Sequence, residues 1–356
     1  MARLHGRFTL ALLAAFGTVL GLAVLEAGAR AFAVREERRE GRLDRDLLRV
    51  KGPGPGAVVS LGQIILKSNN PRVVYELRSR LDVVFAGGRL TTSDSGYRGR
   101  DVAIPKPAGV YRVVGIGDSY MFGQGVSDEE TYLARLPPAE PAVFSGRLLE
   151  TVNLAVPGFN TVMEVELLRE RVARLDPDLI LIEIVGNDLD LPNFLWTEVS
   201  PWSLRRSFLL DFVRGRLKTA GASAGLAEAP REEGAGGETF SRDLEHVPPR
   251  YASMVGLPAF EAAIQDLAAL GRERHARVLA LTHGVWFENA MLRSLAENDI
   301  PVLVLRAALR QRARALGAPD YARSPLALSS TDLHPSALGH RAIAEELARW
   351  LPSQMK

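Results

Sequence analysis

A serine, a glycine, an asparagine and an Asp-x-His pair stand out in this 356-residue sequence, each next to an apolar run or a turn. Ser119 ends the stretch Gly115-Ile116-Gly117-Asp118-Ser119. Gly158 lies within Asn153-Leu154-Ala155-Val156-Pro157-Gly158-Phe159-Asn160-Thr161. Asn187 is the middle of Gly186-Asn187-Asp188. Asp332 and His334 share Asp332-Leu333-His334-Pro335. A serine hydroxyl is a poor nucleophile until a neutral imidazole takes its proton. A carboxylate can fix the imidazole tautomer and stabilise the imidazolium. The tetrahedral oxyanion of acyl transfer needs fixed donors, and losing one costs roughly 10²–10³ in rate. A glycine suits a backbone N–H that must come close to a substrate. An asparagine offers a neutral donor that cannot compete as a base.

Other chemistries find less support. Cysteine is absent, which excludes thiol catalysis, cysteine-ligated zinc and disulfides. A strand followed by Gly-x-Gly invites a dinucleotide reading, but the third glycine position holds Tyr120. Phosphate-loop, HExxH and Gly-x-Ser-x-Gly patterns are missing. Asp332, His334 and His340 have no further ligand cluster beside them, so neither a metal nor a cofactor is expected. The net charge of +2 comes from arginines spread along the chain, which gives no reason to expect nucleic acid as a partner. Taken singly, each candidate also has a structural explanation. Ser119 could cap a helix, with Asp118 forming the turn. His334 could precede a proline-started helix. Gly158 and Asn187 could serve only a turn and a strand end. Asp188 and His340 are read as structural, and His283 is placed to line a crevice.

These residues need elements to position them. The run Tyr111–Gly117 reads as a buried strand. Further strands are expected at Glu150–Ala155, Leu179–Val185, Arg277–Thr282 and Pro301–Leu305, with Leu179–Val185 the strongest. Helical patterns fall at Met163–Leu175, Phe260–His275, Ala290–Glu297, Ala307–Leu316 and Pro335–Leu351. Strands alternating with helices predict a parallel sheet covered on both faces. Ligands of such a sheet bind outside the carboxyl ends of its strands. Ser119, Gly158 and Asn187 follow the first three strands, and Asp332 and His334 follow the fifth, so one crevice can gather all of them. Residues of about 190–250 interrupt the alternation. Arg231–Gly237 in it reads as a solvated loop, and Trp196, Trp202 and Phe208 as the apolar underside of a cap.

The N-terminus carries an uncharged run from Phe8 to Leu25, about 18 residues against the ~20 that cross a bilayer as a helix. It is expected to be an uncleaved membrane anchor. The rival is a signal peptide cut after Ala29 or Ala33. Arg30, Arg35, Arg38 and Arg39 follow the run, and on their own would hold the body in the cytoplasm. The short leading segment and early helix argue for export, so an extracytoplasmic body (periplasmic or cell surface) is expected. Residues 35 to about 50 read as a helical stalk. Val73–Leu77 and Leu81–Phe85 read as strands of a small β-rich flap. The chain thus divides into an anchor (1–34), a stalk and flap (35–106) and an α/β domain (107–356) with its insertion around 190–250.

In this order and at these strand ends, the four blocks resemble those of the SGNH/GDSL hydrolase superfamily, over roughly residues 110–356. Asn70 through Gly96-Tyr97-Arg98 also resembles the upstream flap of its membrane-anchored bacterial members. The resemblance implies a flavodoxin-like three-layer α/β/α sandwich. It implies Ser119 as nucleophile, His334 as general base and Asp332 as its orienting acid. The backbone N–H groups of Ser119 and Gly158 and the amide of Asn187 would form the oxyanion hole. One departure stands out: many members place the acid three residues before the histidine, where this chain has Thr331. Residues two apart share one side of an extended segment, so Asp332 can still reach Nδ1. The expected function is a serine esterase working through an acyl-enzyme on short acyl groups, such as O-acetyl groups on carbohydrate. An O-acyltransferase using the same acyl-enzyme is the alternative, and a non-catalytic binding module on the same fold is the second.

Overall fold

A computed structural model describes residues 2–40, 53–136, 144, 146–196, 207–210, 213, 226–228, 231–234, 237–240, 247–284 and 289–355. Helix α1 (Ala2–Glu40) opens the chain, and Leu12–Phe32 within it is long and apolar enough to cross a membrane. Within that span, Leu12, Leu13, Phe16, Val19, Leu20 and Phe32 face outward rather than into a core. The helix outlasts the expected anchor by several residues, and the rest of the expected stalk lies outside the described residues.

A β-rich segment follows, made of β1 (Val58–Val59), helix α2 (Leu61–Ile64), β2 (Ile65–Lys67), β3 (Tyr75–Leu77), β4 (Asp82–Phe85) and β5 (Gly88–Thr91). β2 and β3 pair antiparallel, and β1 runs parallel to β4. β4 and β5 form a hairpin closed by Ala86 and Gly87, both at positive φ. Two such residues give the turn whose twist suits a two-residue hairpin. Arg98, just downstream, bolts this segment to the main domain. Its buried guanidinium donates to the carbonyls of Phe122, Gly123 and Val126 at 2.6–2.7 Å and to Asp128 Oδ1 at 2.8 Å.

The main sheet has five parallel strands: β6 (Val110–Ile116), β7 (Leu148–Asn153), β8 (Leu179–Glu183), β13 (Arg277–Thr282) and β14 (Val302–Val304). Their spatial order is β14-β13-β8-β6-β7. β6, the first of the five in sequence, is therefore flanked by the second and third, which is the flavodoxin-like order with its switch point between β6 and β8. β8 lies in the middle. Ile180, Leu181 and Ile182 are wholly buried there, each worth roughly 1.5–3 kcal/mol of apolar burial. Up to Glu183 the strand therefore reads as an apolar run, as both-face burial requires. Helices α4 (Thr161–Leu175), α5 (Gly256–Glu273) and α6 (Asn289–Glu297) pack in one group, and α7 (Arg306–Ala315) and α8 (Ala337–Gln354) in another. A single helical turn, α3 (Ser119–Phe122), follows β6 directly.

The insertion contributes β9 (Phe194–Trp196), paired antiparallel with β10 (Leu226–Glu228). It also contains a hairpin of β11 (Arg231–Gly234) and β12 (Gly237–Phe240). That hairpin corrects the loop expected at Arg231–Gly237. Gly234 and Gly237 pair at its closed end. Trp202 and most of the expected cap lie outside the described residues.

Candidate active site

The crevice is built at the carboxyl ends of β6, β7 and β8. β6 runs straight into α3, and Asp118 caps that turn by accepting the Tyr120 N–H at 3.0 Å. Ser119 is thus the first helical residue, not the cap, and its hydroxyl is free to point outward. Its Oγ lies 2.7 Å from His334 Nε2. His334 Nδ1 lies 2.5 Å from Asp332 Oδ1, which also accepts the His334 backbone N–H at 3.1 Å. The turn before it is closed by Ser329, which bonds the Asp332 backbone in both directions at 2.9 and 3.0 Å. Thr331 is exposed, with its hydroxyl 3.2 Å from Ser329 Oγ. The hydrogen bond from His334 holds the Asp332 carboxyl below the usual aspartate range, against an opposing push from burial.

Gly158 sits at φ +75°, and a Cβ there would fall 2.2 Å from the side chain of Asn193. Both the turn and its neighbour therefore require glycine. Among the described residues, the N–H groups of Ser119 and Gly158 have no acceptor within the chain. Asn187 Nδ2 donates to Asp118 Oδ2 at 3.0 Å, and Ser119 Oγ lies 3.2 Å from that same oxygen. Asp118 is thus the joint between the serine turn and the asparagine turn. The expected residues Ser119, Asp332 and His334 are brought into hydrogen-bonded contact, and Asn187 joins them through Asp118.

Tyr120, Glu183, Tyr132 and Tyr75 were not among the expected site residues. The Tyr120 ring stands between two imidazoles, 4.7 Å from His334 and 4.9 Å from His283. Burial, then the nearby Asp118, pushes its phenol well up. His283 is buried, with Nε2 2.6 Å from Glu183 Oε1. Glu183 Oε2 accepts the Tyr132 hydroxyl at 2.7 Å, and the Tyr132 N–H donates to His340 Nδ1 at 3.2 Å. Burial, and then Arg98, holds His340 well below the usual histidine range. It stays neutral as a packing residue. The signal for Glu183 was present: one carboxylate ending an otherwise apolar five-residue strand. Tyr75, from the flap, donates to the Pro157 carbonyl at 3.0 Å and steadies the glycine turn. Among the described residues, no group of three or more His, Cys, Asp or Glu is arranged to hold a metal.

Behind the crevice, Asp188 accepts the Val185 N–H at 2.6 Å and closes the asparagine turn. Glu164, from α4, is buried near it. Burial, then the neighbouring carboxylates Asp188 and Asp118, raises the Glu164 carboxyl well above 4.5; burial and Asp118 raise Asp188 likewise. A carboxyl raised in the folded state keeps a proton that the unfolded chain releases. Its contribution is therefore fully present below the unfolded value, 4.5 for Glu164, and is lost as pH rises toward the folded one. Glu164→Gln keeps the shape and removes that proton. Thermal unfolding across pH 5 to about 9 should show a shallower loss of Tm with pH in this variant than in the wild type. Equal slopes would mean that Glu164 is ionised in the fold.

A family model described as GDSL-like Lipase/Acylhydrolase matches residues 116–342. The chain belongs to this family. Hydrolysis of ester bonds is the activity of the GDSL-like lipase/acylhydrolase family, and the parallel sheet is its SGNH-like core. Similar solved structures include an alpha/beta hydrolase enzyme from the metagenome of Lake Arreo, Spain, at 15% identity. It covers 69% of this chain and 96% of that one, with a TM-score of 0.41. The lipase/acylhydrolase from Enterococcus faecalis is 15% identical over 69% of this chain and 97% of its own, with a TM-score of 0.38. Axe2, an acetylxylan esterase from Geobacillus stearothermophilus, is 16% identical over 68% and 94%, also with a TM-score of 0.38. No curated protein matches the chain.

Proposed function

We propose that this GDSL-family protein is a membrane-anchored serine esterase whose catalytic residues are Ser119, His334 and Asp332. The observation that carries this reading is the unbroken relay from Ser119 Oγ to His334 Nε2 at 2.7 Å and from His334 Nδ1 to Asp332 Oδ1 at 2.5 Å. In the first step Ser119 Oγ bonds to the ester carbonyl carbon, and its proton passes to His334 Nε2. The carbonyl oxygen gains the negative charge, and the N–H groups of Ser119 and Gly158 with the amide of Asn187 receive it. The intermediate collapses, the bond to the alcohol oxygen breaks, and His334 returns the proton to that oxygen. Water then attacks the acyl-serine with His334 again as base. The acid is released and the Ser119 hydroxyl restored. Asp332, held ionised by its bond to His334, stabilises the transient imidazolium.

The substrate class we propose is a short acyl ester, with O-acetyl groups on carbohydrate as the leading case. Leu12–Phe32 serves as the anchor, and the catalytic body lies outside the cytoplasm. The test is acyl partition. The full-length enzyme in detergent is given an aryl acetate, with and without an oligosaccharide acceptor, and free acetate and acetylated glycan are both quantified. A hydrolase releases acetate in equal amounts either way. Transfer of most acetyl groups to the sugar would overturn the hydrolase reading in favour of an acyltransferase. No aryl alcohol released above the rate of a Ser119→Ala variant would overturn both.

A further inference from the structure

The anchor helix is not bare along its whole length. Glu26, Ala29 and Arg30 share one face at i, i+3 and i+4, and that face is partly covered while the flanking positions are exposed. What covers it comes from the insertion, some 180 residues later. The Glu26 carboxylate accepts the Ser207 hydroxyl at 2.7 Å and the backbone N–H groups of Phe208 and Leu209 at 2.9 and 3.0 Å. Arg30 Nε donates to Glu26 at 2.7 Å, and its guanidinium lies over the Phe208 ring at 5.2 Å. Phe208 is buried, whereas Leu210 and Val213 are 46% and 40% exposed.

The height of the contact decides what those exposed side chains meet. Glu26 is six residues before Phe32, the end of the apolar span, so at 1.5 Å per residue it lies roughly 9 Å inside that end. Apolar faces of interfacial helices sink about 5–10 Å into the headgroup and acyl boundary. A carboxylate in an apolar span also needs its oxygens satisfied by protein, and Ser207, Phe208, Leu209 and Arg30 do that. We propose that Ser207, Phe208, Leu209, Leu210 and Val213 form a second membrane-contacting element. Glu26 clamps it beside the anchor, and Leu210 and Val213 rest in the outer acyl region of a phospholipid bilayer. This rests on α1 being an anchor. A chain cut after Ala29 or Ala33 would lose the clamp altogether.

The absence of cysteine makes the test direct. Single cysteines replace Phe16, Leu210 and Leu148 in the full-length protein, each carries an environment-sensitive fluorophore, and the protein is reconstituted into phosphatidylcholine–phosphatidylglycerol vesicles. Phe16 lies mid-span, and Leu148 is exposed at the far end of the sheet. Lipid spin-labelled deep in the chain should quench the Phe16→Cys probe. Lipid labelled near the headgroup should quench the Leu210→Cys probe about twofold, and the Leu148→Cys probe should be unaffected. A Leu210→Cys probe that behaves like Leu148→Cys while Phe16→Cys is quenched would overturn the docking and leave the anchor standing. An unquenched Phe16→Cys probe would overturn the anchor and the docking with it. Adding Glu26→Ala should remove most quenching at 210 without touching that at 16. Undiminished quenching at 210 would overturn the role of Glu26 as the clamp.

Discussion

Ser119→Ala should lower kcat/KM for an aryl acetate by about 10⁴–10⁶ while leaving thermal stability within about 0.5 kcal/mol of wild type. The loss would follow from removing the proposed nucleophile, Oγ at 2.7 Å from His334 Nε2. The unchanged stability follows from the cap. Asp118, not Ser119, accepts the Tyr120 N–H, so Ala at the first helical position keeps the turn intact. The two readouts separate the chemical role from the structural one. A serine that capped the helix would show a loss of stability of about 1 kcal/mol, with little change in rate. A fluorophosphonate should label the wild type at Ser119 and leave the variant unlabelled. Labelling that persists in the variant would place the nucleophile elsewhere.

The sequence made some elements plain and hid others, and the difference is physical. Arg277–Thr282 is found with its full bounds because burial on both faces makes a strand an apolar run with sharp ends. The ends of Leu179–Val185 are less clear, because Ile184 and Val185 are buried after the ladder has stopped. The residues around the serine and histidine were legible because each sits in a short local motif, the serine just past β6 and the histidine in the loop that leads into α8. The network behind them was not. Glu183 meets His283 only because β8 and β13 are neighbours, with Glu183 opposite Leu281. Nothing in either segment encodes that pairing. Arg98 and Tyr75 reach carbonyls 24 and 82 residues away. Backbone acceptors leave no mark in a sequence, so the way the flap braces the serine and glycine turns could be read only from the fold. Glu26 shows the same limit from the other side. A carboxylate near the end of an apolar run looks like a boundary until its donors at Ser207, Phe208 and Leu209 are seen.

Asp332→Asn is the second large effect, about 10³ in kcat/KM, somewhat below the ~10⁴ seen for fully buried triad acids. Asp332 is partly open to water, with 42% of its side chain exposed, so solvent already shares in stabilising the imidazolium. What the substitution removes is a charge 2.5 Å from Nδ1. It also puts an amide where its NH₂ can face the ring and favour the wrong tautomer. The pH profile gives a signature that a structural defect would not. The Asp332 carboxyl is lowered by its bond to His334, so it carries its charge across the neutral range. Without that charge the imidazolium is harder to form. The acid limb of the variant should therefore move to lower pH even as its plateau drops. Thr331 occupies the more usual spacing, three residues before His334, but its hydroxyl is exposed and 3.2 Å from Ser329 Oγ. Thr331→Val should accordingly keep kcat/KM within a fewfold of wild type and leave the acid limb in place. If Asp332→Asn kept near-normal kcat/KM while Thr331→Val was crippled, the imidazole would be oriented by the threonine. The short spacing would then be an accident of the loop and not the relay.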